Sequence, residues 1–305
     1  MQHFIDLADY SSAEIRALVT RALELKHEWQ NGGNAPVLKG KVLAMVFQKP
    51  SLRTRVSFDV GMQHLGGSAL NLGPDEIGLG KRESVADVAR SLSAFTQGIM
   101  ARVFDHDHLT QLAEWGSVPV INGLSDLQHP CQALADVLTI HERFGTVEGI
   151  RVTFVGDGNN VAFSLAQAVA YLGGHFTLAA PSGYTFSEER MDSVAEIAAK
   201  TGGTVQLYES PQEAVTGAQV VYTDTWVSMG QEHEAQRRLR TFQPYQVNRD
   251  LLNCADKDAI VMHCLPAHRG QEITDEIADS HQSVVFQQAE NRLHAQKAVL
   301  VALMG

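Results

Sequence analysis

The sequence contains few of the features that mark secreted or membrane proteins. Only three of its 305 residues are cysteine, Cys131, Cys254 and Cys264, and none are in CxxC spacing. An odd number without that spacing argues against a disulfide framework, so we expect a reducing compartment, the cytoplasm. No apolar run approaches the ~18–20 residues that a membrane span needs. The first residues, "MQHFIDLADYSSAEIRALV", lack the basic and apolar regions of a signal peptide.

The sequence is also short of positive charge. Its 24 Lys and Arg residues stand against 35 Asp and Glu residues, a formal net charge of −11. This balance disfavours nucleic acid and anionic membranes as partners, so any anionic ligand must be attracted by a local cluster of cations. A length of 305 residues favours two domains over one, because single hydrophobic cores stop growing near this size.

Short apolar runs alternate with helical patterns along the chain. The predicted strands are "KVLAMVF", "SALNL", "GIMARVF", "VPVINGL", "RVTFVG", "FTLAAP", "TVQLYE", "VVYTD", "AIVMHC" and "SVVFQQ". Continuously apolar strands between helices are typical of parallel sheets covered on both faces. We therefore predict an α/β protein with two doubly wound parallel-sheet domains of similar size, residues 1–145 and 150–285. The segment "TVEG" (146–149) predicts the linker between them.

The motif "SLRTR" lies where the first predicted strand meets a helix. A helix start offers unpaired N–H groups that favour phosphate. Ser51 and Thr54 add hydroxyl groups, and Arg53 or Arg55 adds a planar guanidinium that fits phosphate oxygens in pairs. The motif therefore predicts a phosphate site; the alternative is a solvated basic turn with a serine cap.

Further polar residues follow the next strands of the first half. Arg102 ends "MAR", and His129 and Gln132 open a helix in "HPCQ". In open α/β sheets ligands bind beyond the carboxyl ends of the strands. Together these side chains could polarise a carbonyl and bind an amide, although a single histidine at a helix start is also a common structural residue.

In the second half of the chain, reactive side chains follow two of the predicted strands. Asp224 and Ser228 lie in "TDTWVSMG", and Cys264, a candidate nucleophile, lies in "HCLPAHRG" with His263 and His268. A zinc site needs three or four convergent ligands with recognisable spacing. The sequence shows no such set, so we predict no metal.

Neither nucleotide-binding motif that the sequence suggests is complete. After the strand "RVTFV", Gly156 and Gly158 are followed by Val161, which breaks the G-x-G-x-x-G pattern of dinucleotide folds. In "GLGKRES", Arg82 follows Lys81 where a P-loop requires Ser or Thr. We therefore predict no cofactor.

Four motifs, "SLRTR", "HPCQ", "DTWVSMG" and "HCLPAHRG", occur in that order over the full length. Together they resemble the aspartate/ornithine carbamoyltransferase family, and the last three favour ornithine over aspartate as substrate. The resemblance implies a carbamoyl-phosphate domain made of the first half and a returning C-terminal helix at about 288–305, with an ornithine domain between them. It implies an enzyme that carbamoylates the δ-amine of L-ornithine to give L-citrulline and phosphate. It also implies a homotrimer, or a multiple of trimers, with active sites at subunit interfaces.

The resemblance also assigns site residues. The carbamoyl-phosphate ligands would be Ser51, Leu52, Arg53, Thr54, Arg102, His129, Gln132 and Arg292, and the ornithine ligands would be Asn160, Asp224, Ser228, Met229, Cys264 and Leu265. Among these, Thr54, Arg102, His129 and Cys264 would be catalytic. The family's loop that reaches a neighbouring subunit corresponds here to "GPDEIGLGKRES" (73–84), which has no glutamine. Lys81 and Arg82 are therefore the candidates for its role.

Several alternatives remain at this stage. Within the family, putrescine or another amine could be the acceptor, although "SMG" and "HCLP" favour ornithine, and no proline-rich insertion of the acetylornithine type interrupts residues 153–228. We expect a role in arginine biosynthesis rather than in arginine degradation. Outside the family, the chain could be a non-catalytic binding module for an amino acid and phosphate, or a nicotinamide-dependent dehydrogenase.

Overall fold

The computed structural model describes residues 1–228 and 230–305. It divides into two compact units, Met1–Leu138 with Glu290–Gly305, and Thr139–Ala289. The first division falls inside a helix, whereas the sequence analysis placed a linker at 146–149. No helix in the described part of the chain has the length and apolar character needed to span a membrane.

The first unit contains a four-stranded parallel sheet in the order β2-β1-β3-β4. Its elements begin with a 3-10 turn at Leu7–Asp9 and continue as α1 (Ser12–Gln30), β1 (Val42–Phe47), α2 (Leu52–His64), β2 (Ser68–Leu72), α3 (Pro74–Ile77), α4 (Val85–Phe95), β3 (Gly98–Arg102), α5 (Asp107–Trp115), β4 (Val120–Leu124) and α6 (Pro130–Phe144). Helix α1 begins with a capping box, in which Ser11 and Glu14 satisfy each other's backbone N–H groups.

The second unit contains a five-stranded parallel sheet in the order β7-β6-β5-β8-β9. Its elements are β5 (Arg151–Val155), α7 (Asn160–Tyr171), β6 (His175–Ala179), α8 (Glu188–Thr201), β7 (Thr204–Tyr208), α9 (Pro211–Val215), β8 (Val220–Thr223), α10 (Ala235–Phe242), α11 (Arg249–Leu252), β9 (Ile260–His263), α12 (Asp275–Ala278) and the start of α13 (Val285–Met304). The predicted α/β class with two parallel-sheet domains is confirmed.

One predicted strand, "SVVFQQ" at 283–288, is wrong. Ser283 forms only an isolated bridge with Val261, and α13 begins at Val285. Val284 and Val285 are buried, Phe286 is 69% exposed and Gln288 is buried again. Burial at neighbouring residues and again three or four positions later is the period of a helix, whereas a half-buried strand alternates every second residue.

Strand register brings the ends of non-adjacent chain segments together. In the first sheet Phe47 at the end of β1 pairs with Arg102 at the end of β3. In the second sheet Thr223 at the end of β8 pairs with His263 at the end of β9. The residues that follow these strands therefore emerge side by side within each unit, where ligands bind in open α/β sheets.

Candidate active site

The start of α2 carries the hydroxyl and amide groups of the first motif. Ser51 is the N-cap, and its hydroxyl accepts a hydrogen bond from the Thr54 backbone N–H at 3.3 Å. The Leu52 side chain is 73% exposed, and Arg53 is half-buried in the same turn. The positive end of the α2 dipole lies at this turn, which favours an anion there.

Arg292 on α13 joins two predicted ligands that lie far from it in the sequence. Its Nη1 donates to Gln132 Oε1 at 2.6 Å, and its Nη2 donates to Thr54 Oγ1 at 3.1 Å. All three side chains are at least 98% buried. The C-terminal helix therefore connects the starts of α2 and α6, as the returning helix of the sequence analysis requires.

His129, which precedes α6, is surrounded by positive charge. Its side chain is buried, and burial holds the pKa of its imidazole well below the usual value, with further lowering by Arg292, Arg102, Arg53 and Lys49. The imidazole is therefore neutral near pH 7 and can donate a hydrogen bond without adding charge. Four cations around one histidine, in a protein with a net charge of −11, mark the first unit's site as a place for an anion.

Lys49 is a member of this cluster that the sequence analysis did not select. It is 7% exposed, and its ammonium lies 4.1 Å from the centre of the Phe104 ring. Burial lowers its pKa, Arg102 lowers it further and Asp126 opposes both. The available signal was its position two residues after the end of β1, beside the predicted phosphate motif.

The second unit brings Asp224 and Cys264 together at the ends of β8 and β9. Asp224 is 7% exposed. Its Oδ1 accepts from the Cys264 thiol at 3.0 Å, and its Oδ2 accepts from Asn159 Nδ2 at 3.0 Å. Asn160, the predicted ornithine ligand, is the half-buried first residue of α7, and its neighbour Asn159 was not predicted from the sequence.

Asn159 also caps α7, because its Oδ1 accepts from the backbone N–H groups of Val161 and Ala162 at 3.0 and 3.1 Å. Its amide orientation is thereby set, and its NH₂ group faces Asp224. The turn before it requires Gly156, whose φ of 144° is open to glycine and unfavourable for other residues.

The backbone after Cys264 is held by a buried histidine. The Leu265 N–H donates to His263 Nδ1 at 2.9 Å, so the ring proton is on Nε2, which donates to Glu272 Oε1 at 3.0 Å. His263 and Glu272 are both buried. Leu265 has a φ of 57° and is followed by a cis bond to Pro266. The hydrogen-bonded pair of His263 and Glu272 therefore anchors the turn that carries two predicted ornithine ligands.

One group of three side chains has the composition of a metal site. Within the described residues, ligand atoms of Asp224, His263 and Cys264 lie within 4.8 Å of one another. Both ring nitrogens of His263 are already hydrogen-bonded, to Leu265 and Glu272. The imidazole would have to give up one of these bonds to bind a metal ion, and the absence of a metal stays a prediction.

Hydrogen bonds hold described residues of the segment that follows β8. Ser228 is half-buried, and its N–H donates to Gln231 Oε1 at 3.1 Å. Met229, a predicted ornithine ligand, lies outside the described residues. Arg238 is buried, donates to the Trp226 carbonyl at 2.5 Å and forms an ion pair with Asp157.

Comparison with known proteins assigns the two halves of the chain separately. Residues 2–142 match the model for the aspartate/ornithine carbamoyltransferase carbamoyl-phosphate-binding domain, and residues 148–303 match the model for the Asp/Orn-binding domain of the same enzymes. The chain belongs to the aspartate/ornithine carbamoyltransferase family.

Relatives in this family match the chain over nearly its whole length. The protein from Pyrococcus furiosus named "Ornithine carbamoyltransferase, anabolic" is 53% identical over 98% of this chain and 95% of its own. An ornithine carbamoyltransferase from Anoxybacillus flavithermus is 50% identical over 99% of this chain and 96% of its own. A solved structure of the P. furiosus ornithine carbamoyltransferase has a TM-score of 0.97 and 51% identity, and covers 100% of this chain and 97% of its own.

The loop at 73–84, which contains no glutamine, is described by the structure. Gly78 ends α3 with a φ of 60°. Lys81 and Arg82 are exposed, and Arg82 Nη1 donates to the Glu76 carbonyl at 3.3 Å. Whether Lys81 or Arg82 reaches a neighbouring subunit stays a prediction.

Proposed function

We propose that this chain transfers the carbamoyl group of carbamoyl phosphate to the δ-amine of L-ornithine, forming L-citrulline and phosphate. The observation that carries the proposal is the buried cluster in the first unit, where Arg292 joins Thr54 and Gln132 close to a neutral His129. The family models and relatives at 50–53% identity support it.

The proposed carbamoyl-phosphate site uses the positive charge of the first unit. The start of α2, with Ser51, the Leu52 backbone and Arg53, would hold the dianionic phosphate. Arg102, at the end of β3, is 7% exposed and close enough to affect His129. Its charge would both hold the phosphate and stabilise it as it leaves.

The oxyanion that develops on the carbamoyl oxygen needs donors that are already in place. Arg102 and the neutral His129 would supply two of them. Thr54 would supply a third, because its oxygen accepts from Arg292 and its hydroxyl proton is left to donate to the ligand. Gln132 would orient the carbamoyl NH₂ group.

The proposed ornithine site lies in the second unit. Asp224 would pair with the α-ammonium group, since its carboxylate is buried and, among the residues that the structure describes, accepts hydrogen bonds from Asn159 and Cys264, two of about four that a carboxylate can accept. Asn160, Ser228 and Met229 would bind the amino-acid part of ornithine.

Cys264 and Leu265 would line the reacting end of ornithine. The δ-amine must be uncharged to attack the carbonyl carbon, and the thiol of Cys264 would help to place it. Carbamoyl phosphate is already an activated acyl donor, so the attack needs no covalent enzyme intermediate. Its rate would come mainly from positioning and electrostatic stabilisation.

The proposal includes a homotrimer or a multiple of trimers, a cytoplasmic location and a biosynthetic role. The first two rest on the sequence and the family resemblance. The biosynthetic role is supported by the relative from P. furiosus that is named anabolic. Light scattering on the purified protein measures the assembly, and a mass that is not a multiple of three chains contradicts it.

A colorimetric citrulline assay tests the reaction. We expect citrulline from carbamoyl phosphate and L-ornithine, and little or no product when putrescine or N-acetylornithine replaces ornithine. Binding of both substrates without product would indicate a binding module, and a change in NADH absorbance would indicate a dehydrogenase. Either result, or a preference for another amine, would overturn the proposal.

A further inference from the structure

Gln132, the proposed partner of the carbamoyl NH₂ group, donates a hydrogen bond to Asp136, a residue that was not predicted from the sequence. Asp136 lies one helical turn later on α6 and is completely buried. Its Oδ1 accepts a hydrogen bond from Gln132 Nε2 at 2.8 Å. On the other side Arg292 Nη1 donates to Gln132 Oε1 at 2.6 Å. The amide is therefore bonded at both ends.

These two contacts determine which way the Gln132 amide faces. A carboxylate only accepts hydrogen bonds and a guanidinium only donates them. Rotating the amide by half a turn would place its NH₂ group against Arg292 and its oxygen against Asp136, two repulsive contacts in a buried place. Only one orientation satisfies both neighbours, and it places the amide oxygen, with a second lone pair, beside Arg292 and Thr54.

We infer that Asp136 is a positioning residue that selects the carbamoyl group. By holding the NH₂ of Gln132, it turns the amide oxygen toward the ligand, where that oxygen accepts a hydrogen bond from the carbamoyl NH₂. An acyl phosphate that carries a methyl group at this position, such as acetyl phosphate, cannot donate that bond. The inference rests on the proposed role of Gln132.

Charge is the competing explanation for a buried carboxylate here, because the first unit also contains Arg53, Arg102 and Arg292. Two substitutions separate the explanations. Asp136→Asn removes the charge but keeps an oxygen that can accept from Gln132. Asp136→Leu removes both. If orientation is decisive, Asp136→Asn retains most of the wild-type affinity for carbamoyl phosphate and Asp136→Leu does not.

Steady-state kinetics with citrulline detection measures the effect. For Asp136→Leu we expect the KM for carbamoyl phosphate to rise about 10- to 100-fold, the loss of one well-placed hydrogen bond and its partner, with the KM for ornithine little changed. We expect Asp136→Asn to stay within about twofold of wild type, less than the loss of the weakest net hydrogen bond would cost. A rise of about tenfold or more in the KM of Asp136→Asn for carbamoyl phosphate would overturn the inference, and this outcome can be measured even if the leucine variant does not fold.

A double-mutant cycle distinguishes this relay from a purely structural role. Gln132→Met should by itself weaken the binding of carbamoyl phosphate. Adding Asp136→Leu should weaken this binding no further, because the residue that Asp136 positions is gone. Additive effects would overturn the positioning role. An unchanged KM in Gln132→Met would instead overturn the role proposed for Gln132, so the two failures are distinguishable.

Ligand selectivity is a second test, because a purely structural role of Asp136 would leave the preference between ligands unchanged. Wild type should bind carbamoyl phosphate more tightly than acetyl phosphate, and Asp136→Leu should lose this preference while its inhibition by inorganic phosphate is unchanged. Glu142→Gln, the same acid-to-amide change as Asp136→Asn on the half-buried second part of α6, serves as the matched control and should keep the preference. A preference retained in Asp136→Leu would contradict the inference.

Discussion

Asp224→Asn removes one negative charge at the end of β8 and preserves the shape of the side chain. In the structure Asp224 Oδ2 accepts from Asn159, and Oδ1 accepts from the Cys264 thiol. An asparagine can keep its oxygen toward Asn159 and turn its NH₂ group toward the sulfur of Cys264, which is a weak acceptor. We therefore expect the variant to fold, so that its kinetics report the loss of charge.

The magnitude follows from the burial of Asp224, which is 7% exposed. Removing one partner of a buried, hydrogen-bonded charge pair costs about 2–5 kcal/mol. At about 1.4 kcal/mol for each factor of ten, the KM for ornithine should rise roughly 30-fold to several thousand-fold. Carbamoyl phosphate is proposed to bind the other unit, so its affinity should change by no more than about twofold, the scatter seen for independent sites.

Citrulline formation at varied ornithine concentration measures the KM, and calorimetry with carbamoyl phosphate alone measures the second affinity. Asp192→Asn, the same change on the exposed side of α8, is the control and should leave both values unchanged. Equal losses for the two substrates would refute the assignment of Asp224 to ornithine. An unchanged ornithine KM would refute its pairing with a cation.

Three further predictions test the first unit. Arg53→Ala should weaken the binding of carbamoyl phosphate by about 3–5 kcal/mol by removing a charge partner of phosphate. Near-wild-type affinity by calorimetry would contradict the proposed phosphate site. The low pKa of buried His129 means that the unfolded chain binds a proton first as pH falls below about 6.5, so the wild-type free energy of unfolding should decrease there by up to about 1.4 kcal/mol per pH unit. His129→Asn should show a shallower decrease in urea titrations, and an equal slope would contradict the neutral imidazole. Burial lowers the pKa of Lys297 to about 8 from 10.5. The free energy of unfolding should therefore rise as pH increases between these values in wild type and rise less in Lys297→Met, and parallel curves of unfolding free energy against pH would contradict the lowered pKa.

Much of the site could be predicted because local patterns specify strands and their ends. Asp224 and Cys264 each follow an apolar run, and parallel strands deliver both residues to one edge of the sheet. The contact between Asn159 and Asp224 could not be predicted in this way. It depends on the turn at Gly156 and on which side chain caps α7, and neither is visible in the order of residues alone.

The start of α13 shows a second limit of pattern reasoning. A short apolar run such as "SVVFQQ" fits a buried strand and a helix turn equally well. The chain forms a helix here, with only Ser283 bridging to β9, because the burial that decides between them comes from neighbours distant in the sequence.

The sequence by itself determined the α/β class, nine of the ten predicted strands in their order, the family and the strand ends at which chemistry was expected, since these follow from local periodicity and from motifs of a few residues. Only the tertiary structure decided that Arg292 bonds both Thr54 and Gln132, that Lys49 is buried and that Asp136 accepts a hydrogen bond from Gln132. The reason is that burial and hydrogen bonding between distant residues, such as Thr54 and Arg292, which lie 238 positions apart, depend on how helices and strands pack. Packing sums many weak contacts that no short stretch of sequence contains.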